Sequence, residues 1–504
     1  SNTTNTASGI ISGLTPITYT GTSAGNFTIS GNNTFTGNVN IISGSLSITN
    51  GNALGSSAGN TGIANGSVLT LSNNIEVDEA ISAAGTGISN NGAIRNTTDD
   101  NTLTGLITQT ANTEIQIDSG SSLTIDPSSG NAITGTYNLT IESIGTTNIS
   151  DPIAIGTGTL TKNGSSTLTL SGTNTYSGAT TISGGIIAIS DAAALGTTAG
   201  ATTVDSGAAL YISNNITVAE PITISGTGVS SGGAIRFTAN NNTYSGAITL
   251  GATATIVSNS GQQIISGTIN GTNDNTEALT ITANDNLTIS GAIGGIANKQ
   301  LSTLDITTTG SGVLTLSNDI TTDNDQTYTV AGGVLLGANV ILTATSSDIL
   351  FSGTASTIDS TGSTRTLTVS ASEIEFDGIV GGSSALGAIG ITGALDLDAD
   401  ITSATSLSVS TTSNLGADVT TSGTQTYTGA VTLSANNTLT TTSNGNVSFG
   451  STTNGAQTLS ITTDGTGDVT FTDDVGGSAG LNGLTISTND FNAVDLKVGG
   501  TISI

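Results

Sequence analysis

Gly31-Asn-Asn-Thr-Phe-Thr-Gly37 returns further along the chain as Gly172-Thr-Asn-Thr-Tyr-Ser-Gly178. The register that places Asn33 on Asn174 runs without a gap from Gly31 to Ile107. It lays Ala53-Leu-Gly55 on Ala194-Leu-Gly196, Ser72-Asn-Asn-Ile75 on Ser213-Asn-Asn-Ile216, and Gly92-Ala-Ile-Arg95 on Gly233-Ala-Ile-Arg236. Inside it lies a shorter beat. A five-residue pattern (Asn, Thr, an aromatic or Leu, Thr or Ser, Gly) begins at Asn33, Asn101, Asn174 and Asn242, at nearly equal intervals. A match of that length identifies a duplicated unit, and nested repeats of this kind mark folds whose modules stack on one another.

Between these marks the chain alternates with period two. Leu168-Thr-Leu170, Ile186-Ile-Ala-Ile189, Ala209-Leu-Tyr-Ile212, Ile222-Thr-Ile224 and Ala247-Ile-Thr-Leu250 are short runs rich in Thr, Ile and Leu, a pattern of strands and not of helices. Ser-Gly, Asn-Asn, Gly-Gly and Asn-Gly pairs separate them and supply the positive φ angles that tight turns need. Asp191-Ala-Ala-Ala-Leu-Gly196 offers material for one helical turn. Together these features predict an all-β fold: a right-handed parallel β-solenoid, a single elongated rod built of repeats. With rungs of about 23 residues, the shorter interval covers about three rungs and the longer about six. Stacking at about 4.8 Å per rung would line Ile, Leu and Val into inward ladders and leave Ser, Thr and Asn outside. A β-sandwich array would need longer strands and aromatic anchors, and eight Phe with seven Tyr in 504 residues are too few.

A second repeat follows. Its marks are Ile293-Gly-Gly295, Val380-Gly-Gly382 and Val475-Gly-Gly477, each leading into an alternating strand such as Leu304-Asp-Ile306 or Leu484-Thr-Ile486. Gln326-Thr-Tyr-Thr329 recurs as Gln425-Thr-Tyr-Thr428. The expected organisation is therefore a solenoid over residues 1–275 that holds the duplicated unit, continued over 276–504 by the Val/Ile-Gly-Gly repeats.

Composition removes several function classes. Six basic against 35 acidic residues give a net charge of -29, which disfavours nucleic-acid partners and offers no basic face to an anionic bilayer. The chain has no His and no Cys, so the usual general bases, thiol nucleophiles and soft metal ligands are missing. Disordered chains pair low hydrophobicity with high charge, whereas here 35% of residues are apolar and 8% charged. No run of eighteen apolar residues suggests a membrane-spanning helix.

Gly158-Thr-Leu-Thr-Lys-Asn-Gly164, Leu168-Thr-Leu-Ser-Gly-Thr-Asn-Thr-Tyr-Ser-Gly178 and Thr180-Thr-Ile-Ser-Gly-Gly185 resemble the autotransporter-associated β-strand repeat. Gly467-Asp-Val-Thr-Phe-Thr-Asp-Asp-Val-Gly-Gly477 is similar to filamentous-haemagglutinin-like bacterial surface exoproteins. The resemblance implies a β-helix exported across a Gram-negative outer membrane. It makes the expected function that of an extracellular, non-catalytic adhesin passenger or stalk, meeting a host or neighbouring cell surface, matrix or glycan. The last residues, Leu496 to Ile504, still read as core strand, so end-on stacking of copies into a filament is the alternative.

Candidate sites are few. Glycoside cleavage requires two carboxylates facing one another across a groove; the best acidic run, Asp396-Leu-Asp-Ala-Asp400, is expected to set its three carboxylates side by side on one outward face. A polysaccharide-degrading enzyme is thus the least favoured reading, and no catalytic residue or cofactor is assigned. Asp323, Asp325, Asp396, Asp398 and Asp400 are candidate ligands of a structural calcium ion, a hard cation that prefers oxygen, although Asp and Asn are also the ordinary residues of turns. Arg95 and Arg236, equivalent under the register of the duplicated unit, each call for a local partner, with a surface salt bridge the expected role.

Overall fold

The computed structural model describes residues 5–22, 25–127 and 129–504. It is all-β, with short parallel strands, and forms two compact units, Ser1–Ala247 and Ile248–Ile504. Each unit is a parallel β-solenoid: a strand pairs with the strand one turn before it and the strand one turn after. Among the described residues no helix is long and apolar enough to cross a membrane. The only helical pieces there are two 3-10 turns, Ile88–Asn90 and Val229–Ser231. Asp191 to Gly196 makes tight turns, closed by Ala194 N–H on the Asp191 carbonyl and Gly196 N–H on that of Ala193.

In the first unit one inward column runs Leu46, Leu69, Ile94, Ile115, Ile141, Lys162, Ile182, Val204, Ile224. The length of chain per step varies, being short from Lys162 to Ile182 and longer from Ile115 to Ile141, and the turns absorb the difference. Strands contribute alternate residues to the core because successive side chains point to opposite faces. Lys162 breaks the aliphatic run. It is fully buried, and its ammonium donates to the carbonyls of Asn163 (2.6 Å), Gly164 (2.9 Å) and Gly184 (3.1 Å). Burial pulls its pKa down to about 8, while the three acceptors replace the lost water.

The repeated Asn residues explain why their spacing defines the fold. Asn33 accepts from Ile11 N–H (2.8 Å) and donates to the Ala53 carbonyl (2.7 Å), so one side chain ties three successive turns. Asn174 repeats this with Ile153 N–H (2.7 Å) and the Ala194 carbonyl (2.5 Å). Asn101 and Asn242 accept from Ile75 and Ile216 N–H and donate to the carbonyls of Thr98 and Ala239. All four are buried. The duplication is thus a repetition of hydrogen bonds as well as of letters.

In the second unit the few aromatics are gathered instead of scattered. Tyr328 stacks on Phe351 at 4.8 Å, and Phe351 packs on Phe376 at 5.7 Å. Tyr427, Phe449 and Phe471 form a second inner stack, with centroids 5.3 and 4.4 Å apart. Each stack starts on a Gln. Tyr328 and Tyr427 donate to the amide oxygens of Gln326 (2.7 Å) and Gln425 (3.2 Å), and those buried amides donate in turn to the carbonyls of Thr343 and Thr440.

Candidate functional site

The strongest gathering of chemically active side chains lies on the outside of the second unit. Strand Leu367–Phe376 pairs with strand Leu386–Leu397 so that Glu375 stands beside Asp396 and Phe376 beside Leu397. The inward partners of this ladder, Ile374 and Leu395, are buried, which fixes Glu375 and Asp396 on the opposite face. Carboxylate oxygens of Glu375, Asp377 and Asp398 lie within 4.8 Å of one another.

Local bonds hold the group in place. Asp377 accepts from Gly353 N–H (2.6 Å), Asp396 from the Asn414 side-chain amide (2.9 Å), and Asp398 donates its own N–H to the Phe376 carbonyl (3.1 Å). Partial burial, then the hydrogen bond and charge of Asp377, then Asp396 and Asp398, push the Glu375 pKa up to about 7. Asp398 is also raised, by burial and by Asp396 and Asp377; Glu373 is raised by burial, Asp396 and Asp348. Like charges this close cannot all ionise freely, so the cluster suits either a shared proton or a hard cation.

The expected trio is therefore rearranged. The strand ends at Leu397, so Asp398 and Asp400 belong to the turn beyond it and not to one run with Asp396. Asp398 faces Glu375 and Asp377 of the preceding turn, two residues that sequence reasoning did not single out. Asp400 instead accepts from Asp418 N–H (2.9 Å) of the following turn. Asp323 and Asp325 also part company. Asp323 lies beside Asp274, and its pKa is raised by burial first and by Asp274 second. Asp325 accepts from the Ser347 hydroxyl and from Asp348 N–H. Glu375, Asp377 and Asp398 thus bring carboxylate oxygens of two successive turns within reach of one positive charge.

On the first unit, Arg95 meets Asp118 through Nε and Nη2, at 2.8 to 3.1 Å. Arg236 lies over the ring of Tyr211, 5.4 Å from its centroid. The two equivalent cations therefore have different neighbours.

A family model for the passenger-associated-transport-repeat matches residues 20–48 and 160–189. The chain carries passenger-associated-transport-repeats. Under the register that places Asn33 on Asn174, the end of the first match falls on the end of the second, so the transport repeats are the corresponding pieces of the duplicated unit. Each includes the corresponding strand, Asn26–Ile29 in one and Thr167–Leu170 in the other. Repeats of this family are those of autotransporter passengers, and they imply a secreted or surface-exposed chain. No curated protein and no solved structure matches the sequence.

Proposed function

We propose that the chain is a non-catalytic passenger displayed outside the cell, where it attaches to a host or neighbouring cell surface, matrix or glycan. The observation that carries this reading is the transport repeat, present twice and in register with the solenoid's own duplication. Two features support it. A solenoid offers a regular outer surface of small polar side chains, and its acidic character keeps that surface soluble. A divalent cation held by Glu375, Asp377 and Asp398 would serve as a structural ion, neutralising a place where three carboxylates crowd.

Two measurements on the purified chain test the reading. Labelled protein incubated with epithelial cells and with immobilised matrix should bind saturably above a bovine albumin control. Incubation with a panel of polysaccharides should leave their chain lengths unchanged. Reproducible shortening, abolished by Asp398→Ala, would overturn the non-catalytic assignment.

A further inference from the structure

We propose that the groove under the Gly85–Gly92 overhang of the first unit is a binding site for a neutral carbohydrate chain. This proposal rests on the attachment reading for its biological use, and on the groove's own chemistry for its ligand.

The groove is formed by a loop that leaves the strand wall and arches over it. Gly85, Gly87, Ser89, Asn90 and Gly92 all have φ between 55° and 88°, a conformation that is costly for Ser and Asn and persists where surrounding structure fixes it. What fixes it is visible. Gly92 N–H donates to the Thr86 carbonyl (3.0 Å), and Thr86 Oγ1 bonds Asn90 Oδ1 (2.7 Å). A Cβ on Gly87 would stand 2.1 Å from the Gly92 carbonyl oxygen. The overhang is thus a preformed wall, and preorganised walls lower the ordering cost of binding.

Ser45, Thr70, Arg95, Asn26, Asn91 and Ile88 line this open groove, whose volume is about 430 Å³. That size lies within the usual range of small-molecule sites. The lining mixes hydroxyls and amides, which donate and accept, with a small apolar surface from Ile88 and Val68. A sugar ring presents the same mixture: hydroxyls around its rim and C–H groups on its face. Arg95 lines the groove and remains 32% exposed, so the guanidinium N–H groups that Asp118 does not take can donate to a sugar hydroxyl. The pair is neutral, and the chain carries -29 overall, which favours a neutral chain over an acidic one.

The second copy of the unit supplies the internal comparison. Its overhang has the same form, with Ser230 and Ser231 at φ 51° and 59° and Gly233 N–H on the Thr227 carbonyl (2.8 Å). There Tyr211 occupies the place of Thr70 and Ile186 that of Ser45, and Arg236 lies on the tyrosine ring. Large side chains stand where the first copy has hydroxyls. The fold therefore already tolerates the substitutions that would fill the first groove.

Isothermal titration calorimetry of the full chain tests this, using neutral hexasaccharides of α-glucan, β-glucan, mannan and chitin type and an acidic hexagalacturonate. At least one neutral hexasaccharide should bind at one site with a Kd of about 1 mM or tighter. Thr70→Tyr should weaken that binding at least tenfold, about 1.4 kcal/mol, with an unchanged melting temperature. Should Thr70→Tyr misfold, Ser45→Ile serves the same purpose. No binding by any neutral saccharide, tighter binding of hexagalacturonate, or affinity untouched by a folded groove variant would each overturn the proposal. A chain that adheres to cells yet binds no saccharide refutes the groove and leaves the attachment reading standing; saccharide binding without adhesion does the reverse.

Discussion

Glu220 stands in the second copy of the duplicated unit where Glu79 stands in the first, and both side chains are buried, at 4% and 3% exposure. Neither faces a cation in any described ion pair. Glu79 accepts from the Thr61 hydroxyl (2.9 Å) through one oxygen, while its other oxygen and both oxygens of Glu220 have no hydrogen-bond partner. The titratable neighbours of Glu220 are the phenols of Tyr176 and Tyr244, which burial keeps protonated. Burial raises both glutamates from 4.5 to about 7.

The consequence for stability follows from proton binding. Between pH 4.5 and 7 the folded chain holds protons that the unfolded chain has released, so stability falls as pH rises through that window and levels above it. The full shift corresponds to about 3 kcal/mol per site, and solvent screening brings the expected loss to about 1–2 kcal/mol. Glu79→Gln with Glu220→Gln should raise the melting temperature at pH 8, leave it nearly unchanged at pH 4.5, and flatten the profile between. Thermal scans by circular dichroism across that range decide it; a double variant with the wild-type slope would refute the assignment.

Asn174→Ala should destabilise by about 1–3 kcal/mol, because it leaves the buried Ile153 N–H without its acceptor and the Ala194 carbonyl without its donor. Asn174→Asp keeps an acceptor but buries a charge and loses the donor, so it should be no better. Urea unfolding measures both, and Asn32→Ala, at an exposed neighbouring position in the first copy, provides a control with a change under about 0.5 kcal/mol.

Phe449 is the middle ring of the Tyr427–Phe449–Phe471 stack and is fully buried. Phe449→Ala should cost about 3–5 kcal/mol, whereas Phe449→Leu, which retains most of the volume, should cost clearly less. Equal losses from the two variants in denaturant melts would show that ring stacking and cavity size are not what the site depends on.

The crowded carboxylates make a separate pH prediction. Glu375 has its pKa raised to about 7, so its contribution also weakens as pH rises between the unfolded value and 7. Glu375→Gln should therefore stabilise the chain at pH 8 and have little effect at pH 4.5. Millimolar calcium should raise the wild-type melting temperature at pH 8 more than that of Glu375→Gln. No calcium response in the wild type would remove the structural-ion proposal.

Much of the fold was legible because period-two alternation and the Asn repeats report on local physics: one face buried, one buried amide per marked turn. The parallel solenoid and the register of its duplicated unit both follow from Asn33 and Asn174 doing the same task. The acidic cluster was not legible in the same way. Glu375 reaches Asp396 over a shorter stretch of chain than Ile115 needs to reach Ile141, and no average rung length aligns side chains across turns that vary this much. The acidic run from Asp396 through Asp400 was visible as composition, but its approach to Glu375 and Asp377 depends on the intervening turn. Lys162 was hidden for another reason. It occupies an inward slot of Leu160-Thr-Lys162, yet a charged side chain is ordinarily assigned to the outside, and only the three converging carbonyls explain its burial.

Returning the chain, one repeat later, to the same strand, the same face and the same clamp has a hereditary consequence. Thr34 joined directly to Tyr176 would delete one whole repeat period and leave every later residue in phase, since Tyr176 follows Thr175 just as Phe35 follows Thr34. Recombination between the two copies would thus lengthen or shorten the protein in whole sets of turns while keeping its strands in phase. For such a gene, the number of turns is a quantity that copy number alone can change, with the phase of the strands and the position of the Asn clamp kept.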